Sequence, residues 1–192
     1  QLCLPADGCE GISCNIAIAN AVSASLGVTP EEFEQSLLCV KEDFGAKRLY
    51  TAINSAGETI RILNLFSVND PQSTRSNIDE MLSSSQRLCF LYNHREDRPD
   101  RAFLFARYFF PYYRECTVYV TGSGKSLACR LFAKAGITDL HRVRNWDDCL
   151  AEIPKDTVLV GIGNIKGEGY KMTKHLENMR TMSVSENGGK TI

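Results

Sequence analysis

Apolar residues along this chain recur first at helical spacing. From Arg48 onward they come in short runs that alternate with amphipathic segments. Ile16, Ala19, Val22 and Leu26 fall on one stripe with Gly27 just beyond it, which predicts a helix over 15–26. Thr29-Pro30-Glu31-Glu32 reads as an N-cap with proline at the first helical position. It opens a second helix that carries Phe33, Leu37 and Leu38 inward. The stretches 48–53 and 58–66, joined by the turn 54–57, read as a hairpin leading into a core strand. Then follow a helix over 76–84, a strand over 87–93, a helix over 100–110, a strand over 117–121, and a helix over 126–135 stopped by Gly136. A short strand over 141–143, a helix over 146–153 capped by Asn145, a strand over 157–162 and a helix over 170–179 complete the pattern.

The segments 88–91 and 158–160 are apolar on both faces, as parallel strands covered by helices must be. The alternation therefore predicts an α/β, Rossmann-like fold: a mostly parallel sheet, helices on both faces and an N-terminal β-hairpin. In such a sheet every strand-to-helix loop leaves at the carboxyl edge, where ligands bind. Those loops are 67–74, 93–101, 121–126 and 161–169, all rich in Gly, Asn, Asp, Ser, Lys or Arg, whereas return loops such as 135–138 are plainer.

Composition narrows the function classes. Hydrophobic residues make up 43% and charged residues 23% of the 192, as in an ordinary globular domain. The net charge of −1 and pI near 6.4 argue against a nucleic-acid partner, and no apolar run approaches a membrane span. The eight cysteines include no C-x-x-C pair and suit reduced thiols; Cys3, Cys9 and Cys14 match no standard metal spacing, so no metal site is expected. The opening at Gln1, in an irregular segment, is expected of a fragment. Residues 1–45 then form a remnant of a preceding domain, 46–179 the α/β domain, and 180–192 a flexible tail.

Seven charged or imidazole side chains crowd the nine residues 93–101 at the end of a core strand. Arg95, Arg98 and Arg101 recur at a spacing of three, and guanidinium forks bind carboxylates bidentately. A solvated charge run with internal pairs to Asp97 or Glu96 is the competing reading. The stretch Val118 to Ser126 resembles a P-loop, but its first glycine would fall at Tyr119, so a turn capping the next helix, with Lys125 solvated, is preferred. Gly161, Gly163 and Gly167 miss the dinucleotide spacing, which needs glycine where Lys166 stands; close backbone approach to a ligand or a neighbouring domain remains open. His94 sits at the ligand edge, while His141 and His175 look structural or solvent-facing.

Several motifs together resemble one family. In order they are 15–21 with Leu26-Gly27, Gly45-Ala46-Lys47-Arg48, Phe66 to Thr74, the arginine loop from Arg95 to Arg101, and Gly161 to Ile165. This run resembles the C-terminal part of the Mur-ligase-like subunit of poly-γ-glutamate synthase, a capsule-type enzyme that polymerises glutamate. The resemblance implies a Mur ligase C-terminal-domain type of fold after a piece of the central ATPase domain. It implies an ATP-dependent amide ligase in which the γ-carboxylate becomes an acyl phosphate and the next glutamate's amine attacks it.

By the same resemblance Arg48, Asn69 and Asp70 face the nucleotide, and Arg95, Asp97, Arg98 and Arg101 face a glutamate or polyglutamate chain. Gly161, Gly163 and Asn164 form the glycine-rich loop. ATP and magnesium are the implied cofactors, with the P-loop, magnesium ligands and catalytic lysine in the N-terminal domains outside this chain. Further implied partners are membrane-bound synthase subunits, and the implied location is cytoplasmic at the membrane face. The chain departs from general Mur ligases at Leu65-Phe66, where they carry an acidic pair, and at Thr121 to Gly124, where their Asp-Asn-Pro-Arg motif would lie. A non-catalytic nucleotide- or polyanion-binding module and a small P-loop phosphotransferase are the alternatives.

Overall fold

A computed structural model describes residues 10–40, 44–53, 57–150, 152–153 and 156–187, with the backbone alone for 10–14 and 180–187. The chain divides into two compact units, Gln1–Asp43 and Phe44–Ile192. In the first, α1 (Glu10–Ser25) and α2 (Pro30–Leu38) follow the expected pattern. Thr29 and Glu32 form a reciprocal capping box, with Glu32 N–H donating to Thr29 Oγ1 at 3.3 Å and Thr29 N–H donating to Glu32 Oε2 at 2.9 Å. Such a cap stabilises a helix start by about 1 kcal/mol. Phe33 is buried, but Leu38 is 87% exposed, as are most residues of the apolar stripe on α1. The expected trio Cys3, Cys9 and Cys14 lies outside the described side chains.

The second unit is the α/β domain. Its strands are β1 (Arg48–Ile53), β2 (Thr59–Asn64), β3 (Arg87–His94), β4 (Thr117–Gly122), β5 (Leu140–Arg142) and β6 (Thr157–Gly163), in spatial order β1-β2-β6-β3-β4-β5. Only β1 runs antiparallel, pairing Arg48 with Asn64 and Ile53 with Thr59. The helices are α3 (Pro71–Met81), α4 (Pro99–Tyr108), α5 (Lys125–Lys134), α6 (Asp147–Leu150) and α7 (Glu168–Asn187).

Alternation along the strands sends side chains to two separate cores. Leu63, Phe90, Tyr92, Val118 and Val120 pack with Ile78 of α3, Phe105 of α4 and Phe132 of α5. Ile62, Leu91, Tyr119 and Leu159 pack with Cys149 of α6 and Met172 and Leu176 of α7. The first core is rich in rings: Phe110 and Phe132 have centroids 4.3 Å apart, and Tyr92 meets Phe132 edge-on at 4.8 Å. Each such ring contributes several kcal/mol of burial.

Three helices differ in extent from the expected pattern, α3 for a local reason. Helix α3 begins at Pro71 rather than 76, because Asp70 caps it, accepting from Ser73 N–H at 2.8 Å, with proline at N1. Helix α7 runs to Asn187, into the segment expected as a tail; 188–192 lie outside the described residues. Helix α6 is a single turn.

The strand order positions the site. β3 and β6 are neighbours, yet the loop after β3 enters α4 on one face and the loop after β6 enters α7 on the other. Diverging exits from adjacent parallel strands leave a crevice at the carboxyl edge.

Candidate functional site at the carboxyl edge

Two asparagines lock the lips of that crevice together. Asn93 Nδ2 donates to the carbonyls of Asn164, at 2.5 Å, and Lys166, at 2.8 Å. Asn164 returns its backbone N–H and its Nδ2 to the Asn93 carbonyl, both at 3.1 Å. Arg101, reaching back from α4, donates to Asn164 Oδ1 at 2.6 Å and to the Gly163 carbonyl at 3.4 Å. Gly163 takes φ +97°, and a Cβ there would lie 2.8 Å from the Asn93 carbonyl oxygen; a Cβ on Gly161 would enter the Phe66 ring at 2.5 Å. These glycines serve the protein's own close packing.

The loop after β4 closes on the same place. Gly122 has φ +91°, and a Cβ would sit 2.0 Å from the His94 carbonyl oxygen. Ser123 Oγ accepts from Glu96 N–H at 3.2 Å, and Gly124, left-handed at φ +65°, precedes α5. The segment is thus a turn into a helix, as expected. Lys125 is not solvated, however: its Nζ donates to the Val143 carbonyl at 2.6 Å, beyond the end of β5. A lysine held there is not poised over a phosphate cradle.

A cleft of about 380 Å³ opens among the ends of β3, β4 and β6 and the segment after β5, lined by Asn93, His94, Arg95, Ser123, Arg144, Lys166 and Glu168. Arg95 is half-buried and holds Asp97 bidentately, Nε to Oδ1 at 3.0 Å and Nη2 to Oδ2 at 2.5 Å, which keeps the Asp97 carboxyl below its ordinary range. Arg144 and Lys166 are exposed. Glu168 accepts from Trp146 N–H at 3.3 Å and from Lys171 Nζ at 2.6 Å. His94 is 1% exposed, and burial lowers its pKa, which Glu96 partly opposes. Among the described residues neither ring nitrogen of His94 has a partner, nor does Asn93 Oδ1 or the Tyr92 hydroxyl. A buried polar atom left unpaired costs roughly 1–3 kcal/mol.

The residues expected from the sequence divide into two groups along the edge. Arg48 lies opposite Asn64 at the carboxyl end of β2, and Asn69 and Asp70 stand in the loop that follows. Arg48 donates to Glu177 of α7 at 3.0 and 3.3 Å, and Tyr50 donates to the same carboxylate; burial, then Glu177, push the Tyr50 hydroxyl up to about 12. Asp70 caps α3 and Asn69 is exposed. These three do not form a phosphate site by themselves, and no phosphoryl-transfer step is assigned to this chain.

The second group surrounds β3 and β6. Of its arginines, Arg101 is a structural clamp and Arg95 is engaged by Asp97. Arg98, at the start of α4, is exposed; its backbone N–H donates to the Arg95 carbonyl at 3.1 Å, but its guanidinium makes no hydrogen bond or ion pair among the described residues. Arg144, Lys166, Ser123 and His94 join the cleft without having been singled out as site residues. His94, Ser123 and Lys166 carried a positional signal, since each lies at or in a loop of the carboxyl edge; Arg144 carried none. Among the described residues no cluster of three or more His, Cys, Asp or Glu could hold a metal ion. No described helix is long and apolar enough to cross a membrane.

The pattern of the poly-gamma-glutamate synthase CapB C-terminal domain matches residues 49–179. The chain belongs to that family. The fold agrees: the structure is similar to MurF from Acinetobacter baumannii (TM-score 0.50, 13% identity, 83% of this chain and 37% of that one). It is likewise similar to UDP-N-acetylmuramate-alanine ligase MurC from Thermotoga maritima (TM-score 0.53, 14% identity, 94% of this chain and 39% of that one). The Rossmann-like sheet is therefore of the Mur ligase C-terminal type. The chain spans under two-fifths of the length of either solved structure. No curated protein matches it.

Proposed function

We propose that this chain is the C-terminal part of an ATP-dependent ligase that joins glutamate through its γ-carboxylate, by way of an acyl phosphate, in poly-γ-glutamate synthesis. The observation that carries this reading is the crevice between the diverging exits of β3 and β6, walled by Arg95, Arg144 and Lys166, with Arg98 exposed at the start of α4, in a member of a poly-γ-glutamate synthase family. Converging cations in a half-enclosed cleft suit the carboxylates of glutamate or its polymer, and Arg98 has its guanidinium available for one. ATP and magnesium would be held mainly by N-terminal domains outside the residues described here, with Arg48 and Asn69 at the neighbouring β1–β2 end of the edge. ATP supplies the phosphoryl group that activates the carboxylate. This chain's residues bind and orient the glutamate and narrow the site around it.

In the complete enzyme the domain would work beside membrane-bound synthase subunits at the cytoplasmic face. The test is glutamate-dependent ADP release by enzyme carrying its upstream domains, compared with the same enzyme bearing Arg98→Ala. Losing one charge-assisted contact should lower kcat/KM for glutamate by about 10–100-fold, corresponding to roughly 1.5–3 kcal/mol. Melting should not change, because an exposed charge contributes little stability. Wild-type kinetics in the variant would return Arg98 to a solvated loop. Absence of any glutamate-dependent ADP release from the complete protein would remove the ligase reading altogether.

A further inference from the structure

Exposed apolar side chains are unevenly placed on the α/β domain. Of seven large ones among its described residues, four fall between Phe103 and Tyr112: Phe103 at 52% exposure, Leu104 at 41%, Tyr108 at 51% and Tyr112 at 64%. A helix that only covers its sheet turns such residues inward, as α4 does with Ala102 and Phe105. An outward face this apolar marks a surface that meets another molecule.

The charges on that face say what the molecule is. At about 3.6 residues per turn, Asp100 and Arg107 fall on the midline opposite the buried Ala102 and Phe105, with Phe103 on one flank and Leu104 on the other. Asp100 stands in the first turn of α4 and Arg107 in the last, and both are exposed. They lie about 10 Å apart along the axis, too far to pair with each other. Neither side chain has a hydrogen bond or ion pair among the described residues; Arg107 stands over the Tyr108 ring, 5.1 Å from its centroid. The face is therefore acidic at one end, basic at the other and apolar between. Laid antiparallel on a copy of itself it is its own complement. A foreign partner would need an acid and a base in matching order, whereas a second copy brings both by symmetry.

We propose that the outward face of α4 docks a second copy of this chain, the two α4 helices packing antiparallel about a two-fold axis that passes between residues 103 and 104. Asp100 of each copy then meets Arg107 of the other, and Phe103 and Leu104 each meet their own symmetry equivalents across the axis. Each contact but those on the axis occurs twice, as an isologous interface requires. One ten-residue helix offers less than the roughly 800 Å² per partner of a standard interface, so the association is weak and reversible. The proposal is independent of the ligase reading, because none of these four residues belongs to the candidate site.

Sedimentation velocity of the 192-residue chain across the micromolar range reads the association directly. The average mass should climb from 21.4 kDa toward twice that value as concentration rises. Asp100→Arg sets like charges against each other at both contacts, and so does Arg107→Asp; each should weaken self-association by about tenfold or more. An equimolar mixture of the two variants should associate at near the parent's level. In the mixed dimer the introduced arginine of one copy meets the introduced aspartate of the other, while the native Arg107 and Asp100 pair at the second contact. Leu104→Glu should abolish the dimer alone and in mixtures. Melting of every variant should stay close to the parent's, since the replaced side chains are exposed.

A chain that stays at 21.4 kDa at every concentration would overturn the proposal and leave the α4 face to a different partner. Self-association that survives Asp100→Arg, Arg107→Asp and Leu104→Glu would overturn it too, placing the contact elsewhere on the chain. Association lost in both charge variants and not recovered on mixing would rule out the antiparallel pairing. Recovery only on mixing is the result that no intrachain effect of the two substitutions can produce.

Discussion

Replacing Arg101 by methionine separates a structural arginine from a substrate-binding one. The side chain crosses from α4 to the loop after β6, where Nη1 meets Asn164 Oδ1 at 2.6 Å. Asn164 is 1% exposed, and its oxygen has no other hydrogen-bond partner among the described residues. Methionine keeps much of the apolar stem but removes the donor. The loss is that of one hydrogen bond to a charged group, about 1.5–3 kcal/mol, and the orphaned Asn164 oxygen is the same loss counted from the other side. The longer contact to the Gly163 carbonyl, at 3.4 Å, adds little. An effect of about 2 kcal/mol should lower the melting temperature by about 4–8 °C for a protein of this size.

Thermal and urea unfolding of the chain measure it, alongside Arg98→Ala, which should melt like the parent. Asn164→Ala and the double variant complete a cycle whose coupling energy should be about 1–3 kcal/mol. A melting temperature for Arg101→Met within about 1 °C of the parent, or a coupling energy near zero, would refute the clamp and restore Arg101 to the substrate-binding set.

Lys125→Ala removes the donor to the Val143 carbonyl and should cost about 1 kcal/mol in unfolding experiments, while the complete enzyme keeps turnover within about threefold; a hundredfold rate loss at unchanged melting would reinstate the phosphate cradle. Gly122→Ala puts a methyl 2.0 Å from the His94 carbonyl at φ +91°, so about 3 kcal/mol or more of stability should be lost, and a variant as stable as the parent would contradict that close approach. His94, with its folded pKa lowered by burial, binds fewer protons than in the unfolded chain, so stability should be lost as pH falls below about 6.5. Glu96 opposes this shift, and Arg95, Arg144, Lys166 and Glu168 share the cleft; denaturant unfolding from pH 7 to 5 should show the acid loss shrinking in His94→Gln, and an unchanged profile would exclude His94 as its source.

Much of this protein was determined by local sequence. Capping and periodicity act over four or five residues, and they sufficed for the order of strands and helices, the parallel character of the apolar runs, and the convergence of four polar loops on one edge. Where the start of α3 moved, a local signal existed: Asp70-Pro71 is itself an N-cap and N1 pair. Even the defect of the P-loop pattern at Tyr119 was legible, since that ring is buried against α6 and α7 as part of a strand.

What each polar side chain does was decided only by tertiary structure. Arg101 and Asn164 lie 63 residues apart, and Asn93 and Asn164 lie 71 apart. The insertion of β6 between β2 and β3 is what makes them neighbours. Three arginines of equal promise in the sequence became a clamp, a partner of Asp97 and an exposed cation, because each guanidinium meets different groups once the strands are ordered. That polar atoms of Asn93 and His94 are left unpaired among the described residues is likewise invisible in the chain. An orphan is defined by every partner that could have reached it, and those arrive only with the fold.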